Sequence, residues 1–551
     1  MYFKRTAALA LVGALAFSTV AMADVKGANE DAVNTQKTED TLNVGFASEP
    51  SAIWGSAVGK TENEGNIIQG AILDTLVAKD YSTNEIIPWL ATEWEWVDET
   101  HCKFTLRDDV TMSDGTPLVA DDVVYSFNVF LQTSASTDTG RFLGVLDDGS
   151  ADAVAEDEHT VTIGFNTVAP DMLEMMTMTN FGIVSEDEVE ALGGLEAAST
   201  NPQLGSGKYK FVEWNNGQNI KLERNEDYWN TDYAGYYQYI NITFINDPAS
   251  RAMSVQSGDL DVAYDMPVTQ AATYAADESL STIVYTFGQT AHLWYNMTEG
   301  KATSDILVRQ AIDKALNFDA LAGIGTAGYG EPSLGYFTSD SAYYNETYTT
   351  EERAVDIEGA KELLAEAGYA DGLEITALGL QDTEPLYTVM QANLAEAGIT
   401  LNLDIPDTAQ FVEAAFGGDY DIIMVGEYTA ARYPTLFCFL QEDRSAADVS
   451  AETEAEASTE AESDGTVGTT MVIGGPKVTT KALSDKIFAA IEESDEAKAI
   501  EELGAIEQEL KEDCIVTNLY PEMKAAVLGG SIKGYTTQER GFVDLTNFYE
   551  E

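Results

Sequence analysis

Ile86-Ile87-Pro88-Trp89-Leu90-Ala91-Thr92-Glu93-Trp94-Glu95-Trp96 is followed by Phe104-Thr105-Leu106-Arg107, then by Ser113-Asp114-Gly115-Thr116-Pro117-Leu118 and Ala120-Asp121-Asp122-Val123-Val124-Tyr125-Ser126. The order of these pieces is physically sensible. Asp114-Gly115 predicts a tight turn, since Asp bonds backbone two residues on and Gly accepts positive φ. Pro117 restricts the chain that follows, and Ala120-Asp121-Asp122 opens a capped helix that carries Val123, Val124 and Phe127 inward. Outward from this block, strand-like alternation at 103–106, 161–165 and 240–245 mixes with helical periodicity at 360–367 and 388–397. The mixture predicts α/β or α+β layers. A chain of 551 residues is too long for one core and predicts two to four domains.

Composition removes several function classes. Lys and Arg number 29 against 94 Asp and Glu, a formal charge of −65. Such a field repels phosphate backbones and anionic head groups, which argues against nucleic-acid binding or a membrane-surface role. The first 23 residues read as a secretory signal peptide: Lys4 and Arg5, an apolar stretch over 7–20, and small residues at Ala21 and Ala23, with cleavage expected after Ala23. No Cys follows the apolar region, so a lipid-anchor site is missing. Residues 24–40 read as a flexible leader, and no later apolar run is long enough to span a bilayer. Segment 445–476 begins as Ala, Ser, Thr, Glu and Asp without aromatics and ends in Gly474-Gly475-Pro476, which predicts a disordered acidic insertion.

Chemistry-bearing motifs are sparse. The three histidines, His101, His159 and His292, have no metal-ligand spacing and offer little for a triad. The cysteines, Cys102, Cys438 and Cys514, are expected to be buried free thiols. Gly205-Ser206-Gly207-Lys208 lacks the first Gly of a phosphate loop, and Tyr209 replaces its Ser or Thr. No catalytic residue, metal ligand or cofactor is assigned.

The opening block resembles the signature of family 5 bacterial extracellular solute-binding proteins, which include oligopeptide, dipeptide and nickel binders. Further matches keep the family's order: Gly205-Ser206-Gly207-Lys208-Tyr209, Leu222-Glu223-Arg224-Asn225, Tyr228-Trp229, Gln256-Ser257-Gly258-Asp259-Leu260-Asp261-Val262, Val308-Arg309-Gln310-Ala311-Ile312 and 360–369. The resemblance implies an α/β clamshell of the periplasmic-binding-protein type II class, with two lobes and a smaller extra domain. On that plan lobe I takes 41–68, 201–288 and 519–551, the extra domain 69–200, and lobe II 289–518. It also implies capture of a peptide between closing lobes and delivery to a membrane ABC permease with its ATPase, by an exported, periplasmic monomer that is not an enzyme. An oligosaccharide or other uncharged solute is the alternative ligand.

By the same resemblance, the cleft wall follows the strand that ends at Gly426 and continues through Glu427, Tyr428, Ala430, Arg432 and Tyr433. Peptide binders of the family carry an Asp for the ligand's α-ammonium group where this chain has Ala430. Either Glu427 supplies that charge or the ligand has no free amino terminus. Arg432 suits a ligand carboxylate or is a surface cation. His292, Trp294 and Asn296 alternate on one strand face, at the cleft or in a buried layer. Trp54 could stack on ligand or join the core, and Tyr520 is expected at the hinge or cleft.

Overall fold

The computed structural model describes residues 38–551 except 55–62, 81–84, 135–142, 167–171, 339–340, 342, 346–347, 429–467, 473–474, 480, 494 and 538–541. The signal segment, nearly all of the leader, and Cys438 lie outside the described residues.

Strand β1 (Thr41–Phe46) opens the largest sheet. The chain then builds a separate antiparallel sheet from β2 (Ala91–Trp96), β3 (His101–Leu106), β4 (Ala153–Asp157) and β5 (Thr160–Gly164), in the order β2-β3-β5-β4. Helix α1 (Ala120–Ser134) covers it. As its sequence implies, α1 sends Val123 and Phe127 into the core. Before the helix, the Asp114 carboxylate accepts the Thr116 N–H at 2.8 Å, and Gly115 takes φ +92° to close the turn.

The large sheet resumes with β6 (Tyr209–Asn215), β7 (Asn219–Arg224), β8 (Tyr239–Phe244), helix α2 (Pro248–Ser257) and β9 (Val262–Pro267). A 16-residue strand, β10 (Leu280–Tyr295), carries the chain into the second half. There follow α3 (Phe318–Gly325), β11 (Leu373–Leu378), α4 (Glu384–Glu396), β12 (Ile399–Asp404), β13 (Ile422–Tyr428) and α5 (Glu496–Glu512). Strand β14 (Val516–Gly529) then returns to the first half. All ten strands are one sheet, ordered β12-β11-β13-β10-β14-β9-β1-β8-β7-β6.

Two polar hubs join the small sheet's domain to the first lobe. Asp74 accepts from Trp89 Nε1 at 2.8 Å, Ser206 Oγ at 2.9 Å, Tyr228 OH at 3.0 Å and Trp229 Nε1 at 3.0 Å. Arg107 lies over the Trp229 ring, 4.2 Å from its centroid. Glu188 accepts from Ser113 Oγ at 2.7 Å and from the Gly205 N–H at 3.0 Å. The Gly205-Ser206-Gly207-Lys208 stretch therefore serves packing: Ser206 is spent on Asp74, and Lys208 reaches Thr546 Oγ1 at 2.8 Å.

One expectation is corrected. Segment 445–476 is not disordered to its end, because Gly468–Val472 and Gly475–Thr479 pair as an antiparallel hairpin. Thr469, Thr470, Val472 and Val478 are β-branched residues that favour strands, and composition dominated by the acidic run hid them. Cys102 and Cys514 are buried free thiols. No helix among the described residues is long and apolar enough to cross a membrane.

Candidate functional site

Among the described residues, two strands carry the connection between the halves of the large sheet. The first part of β10 pairs with the end of β14, from Leu280 opposite Gly529 to Thr286 opposite Met523. Its last part pairs with the start of β14, from Thr290 opposite Pro521 to Trp294 opposite Val516. Between these ladders the register slips: β10 spans Phe287, Gly288 and Gln289 where β14 has only Glu522. This bulge marks the hinge, because unpaired backbone bends and twists most readily.

Parallel strands on both sides end at that bulge. On the first side β1 runs parallel to β8 and β9, and Pro267 at the end of β9 pairs with Lys524. On the second side β11 runs parallel to β12 and β13, and Tyr428 at the end of β13 pairs with Gln289. Open α/β sheets bind ligands outside the carboxyl ends of their parallel strands. Here both sets of carboxyl ends converge on one hinge, which makes the space between them the candidate cleft.

The residues singled out in the sequence separate into three groups. Gly426 is exposed at this edge, and the backbones of Glu427 and Tyr428 pair with Thr290 and Gln289 beside the bulge. Ala430, Arg432 and Tyr433 lie outside the described residues. The remaining five are interior. Trp54 is 1% exposed within the first lobe's core, and its neighbour Ile53 donates its N–H to the Ser199 carbonyl at 2.8 Å. His292 and Trp294 are fully buried, and Asn296 uses its amide on the carbonyls of Gly418 and Tyr420 at 2.8 and 2.9 Å. Tyr520 is buried with its ring against the backbone of Gly325 at the end of α3. The face shared by His292, Trp294 and Asn296 is thus a packed layer, since β10 lies mid-sheet with both faces covered.

Behind that layer is a small polar cavity. His292 Nδ1 sits 3.0 Å from Asn518 Oδ1, and its ring stacks on Tyr336 with centroids 4.9 Å apart. The Tyr336 N–H donates to buried Glu507 of α5 at 2.6 Å, and burial pushes the pKa of Glu507 up to about 7. The cavity, which Glu507, Asp313, Arg353 and Tyr348 also line, has a volume of about 40 Å³. That is room for a water molecule and far too little for a peptide.

Sequence reading missed the charged groups at the hinge. Asp265 at the end of β9 holds φ +53°, faces Lys524 Nζ at 3.3 Å, and gives its carbonyl to buried Arg251 at 2.9 Å. Glu522 extends toward the backbone of Gly426, and Asp382, in the loop after β11, adds its charge nearby. These residues are scattered in sequence and belong to no local pattern. Among the described residues no group of His, Cys, Asp and Glu is arranged to hold a metal ion.

Residues 85–442, well over half of the chain, match the model of bacterial extracellular solute-binding proteins, family 5. The chain belongs to this family. A di/tripeptide-binding protein of Pseudomonas aeruginosa is 25% identical over 380 residues, covering 64% of this chain and 70% of the relative. The periplasmic oligopeptide-binding protein OppA of Salmonella typhimurium is 24% identical over 373 residues, covering 64% and 68%. In fold, the chain is similar to the periplasmic binding protein DppA of Helicobacter pylori in complex with the peptide STSA. That match has a TM-score of 0.73 and 20% identity, and covers 93% of this chain and 98% of that one. The family is one of substrate-binding proteins of type II clamshell fold, as the signature block and the ten-stranded sheet had implied.

Proposed function

We propose that this chain captures peptides between its two lobes, outside the cytoplasmic membrane, and delivers them to the permease of an ATP-driven importer. The observation that carries this reading is the convergence of both lobes' strand ends on a hinge of only two strands. A ligand seated there touches both lobes only when they close, so binding free energy drives closure. Family membership and relatives named for di-, tri- and oligopeptides support peptides as the cargo. Extended peptides suit such a cleft because their backbone bonds are common to all sequences.

Finer features belong to the same proposal. The chain is exported by a signal peptide cleaved after Ala23, acts as a monomer without catalysis, and depends on the importer's ATPase for energy. Lobe I comprises 41–68, 201–288 and 519–551, the extra domain 69–200, and lobe II 289–518. The lip of lobe II beyond Gly426, including Glu427, Tyr428, Ala430, Arg432 and Tyr433, faces the ligand.

A thermal-shift screen of the protein from Asp24 onward, against pools of di- to hexapeptides, oligosaccharides and nickel salts, tests this reading. A ligand specific to the folded state raises the melting temperature. Peptide pools are expected to raise it, while a response confined to oligosaccharides would overturn the peptide assignment.

A further inference from the structure

Glu522 is the single residue of β14 opposite the β10 bulge, so its side chain springs from the hinge itself. Its carboxylate reaches the backbone of Gly426: a Cβ on that glycine would lie 2.6 Å from one carboxylate oxygen and 2.7 Å from the other. Any residue but glycine at 426 would therefore push the carboxylate away. Tyr520, two residues back on the same strand, walls off the side toward α3.

The charges around Glu522 offset its burial only in part. Lys524 favours its ionised form, yet the Lys524 ammonium is shared with Asp265 of the same lobe, 3.3 Å away. Asp382, from the second lobe, adds a second negative charge. Among the described residues no hydrogen bond or ion pair holds the Glu522 carboxylate, whereas both oxygens of buried Asp74 accept from donors and buried Glu507 accepts two backbone N–H groups on one oxygen. Burial raises the pKa of Glu522, with Lys524 opposing the effect and Asp382 adding to it. A partly desolvated carboxylate without a donor is costly, and an ammonium group delivered beside it removes that cost.

We propose that Glu522 is the receptor for the ligand's positive charge: its carboxylate, held over Gly426 at the hinge, pairs with the α-ammonium group of a bound peptide. This assignment rests on the peptide reading above. It moves the anchor from the loop after β13, where this chain has Ala430, to the crossing strand, and it makes one residue sense both the ligand and the approach of the lobes. Asp382, on the second lobe, adds to the attraction as the cleft closes.

Isothermal titration of the folded protein with a tetrapeptide pool and its N-acetylated counterpart decides the matter. The wild type is expected to lose affinity by about 30-fold or more on N-acetylation, the usual scale for removing one partner of a buried charge pair. E522Q should lose a similar factor for free peptides and no longer distinguish the two pools. G426A, which displaces the carboxylate without removing it, should show a smaller loss of the same kind. Melting curves establish that each variant is folded, and E522D should restore part of the discrimination. If the wild type binds free peptides and E522Q still discriminates against N-acetylated ones, the anchor lies elsewhere and the peptide function stands. If the folded wild type binds neither pool, the peptide reading and this assignment both fall.

Discussion

The indole N–H of Trp229 donates to the carboxylate of Asp74 at 3.0 Å, across 155 positions of sequence. Trp89, Ser206 and Tyr228 donate to the same two oxygens, so four donors from both sides of a domain boundary depend on one side chain. Asp74→Ala leaves Ser206 and Tyr228, which are buried, and Trp89 and Trp229, which are half-buried, without this acceptor. It is expected to cost about 3–5 kcal/mol in urea denaturation. A loss below about 1 kcal/mol would show that water replaces the carboxylate and that the hub is incidental.

Glu507 predicts a particular pH dependence. Its pKa rises from 4.5 when unfolded to about 7 in the native state, because burial disfavours the charged form more than the Tyr336 and Phe337 N–H groups favour it. The native state thus holds the proton more tightly. This contribution is fully present below about pH 4.5 and is lost as pH rises through about 7, a span worth up to about 3 kcal/mol. The stability of wild type relative to E507Q, measured by urea titration at pH 5 and pH 8, should be greater at pH 5. A pH-independent difference would mean that Glu507 is ionised throughout.

Both described thiols should be inert. Burial pushes the pKa of Cys102 and of Cys514 up to about 12, which removes the nucleophilic thiolate at neutral pH. Ellman's reagent is expected to titrate no more than one thiol in the native protein and three after guanidinium unfolding. Two or more fast native thiols would contradict the burial described.

At the hinge, Gly288 holds φ +73° inside the bulge. Gly288→Ala places a Cβ in the left-handed region and should cost about 1–2 kcal/mol. The same change alters the preferred bend, so the contraction in radius of gyration that ligand produces, read by X-ray scattering, should differ from wild type. An unchanged midpoint together with unchanged contraction would place the hinge elsewhere.

Much of the architecture was legible because its signals are local. The turn at Asp114-Gly115, the helix start at Ala120-Asp121-Asp122 and the alternation through β3, β5 and β8 each involve residues only a few positions apart. The cleft was less legible for a physical reason. Alternation at His292, Trp294 and Asn296 reveals that they share a face, but a strand covered on both sides gives no sequence sign of which face meets solvent. Glu522 was invisible in a different way. Its meaning comes from Gly426, almost a hundred positions earlier, and from a register slip that no composition or period encodes.

Strand β14 occupies the middle of the sheet between β10 and β9, more than two hundred residues after either of them. A chain emerging from the ribosome can pair β1, β6, β7, β8 and β9, yet it has nothing to insert between the two halves until residues 516–529 arrive. Completion of the large sheet therefore waits for that segment. Until it joins, the two halves of the sheet are tied together through β10 alone.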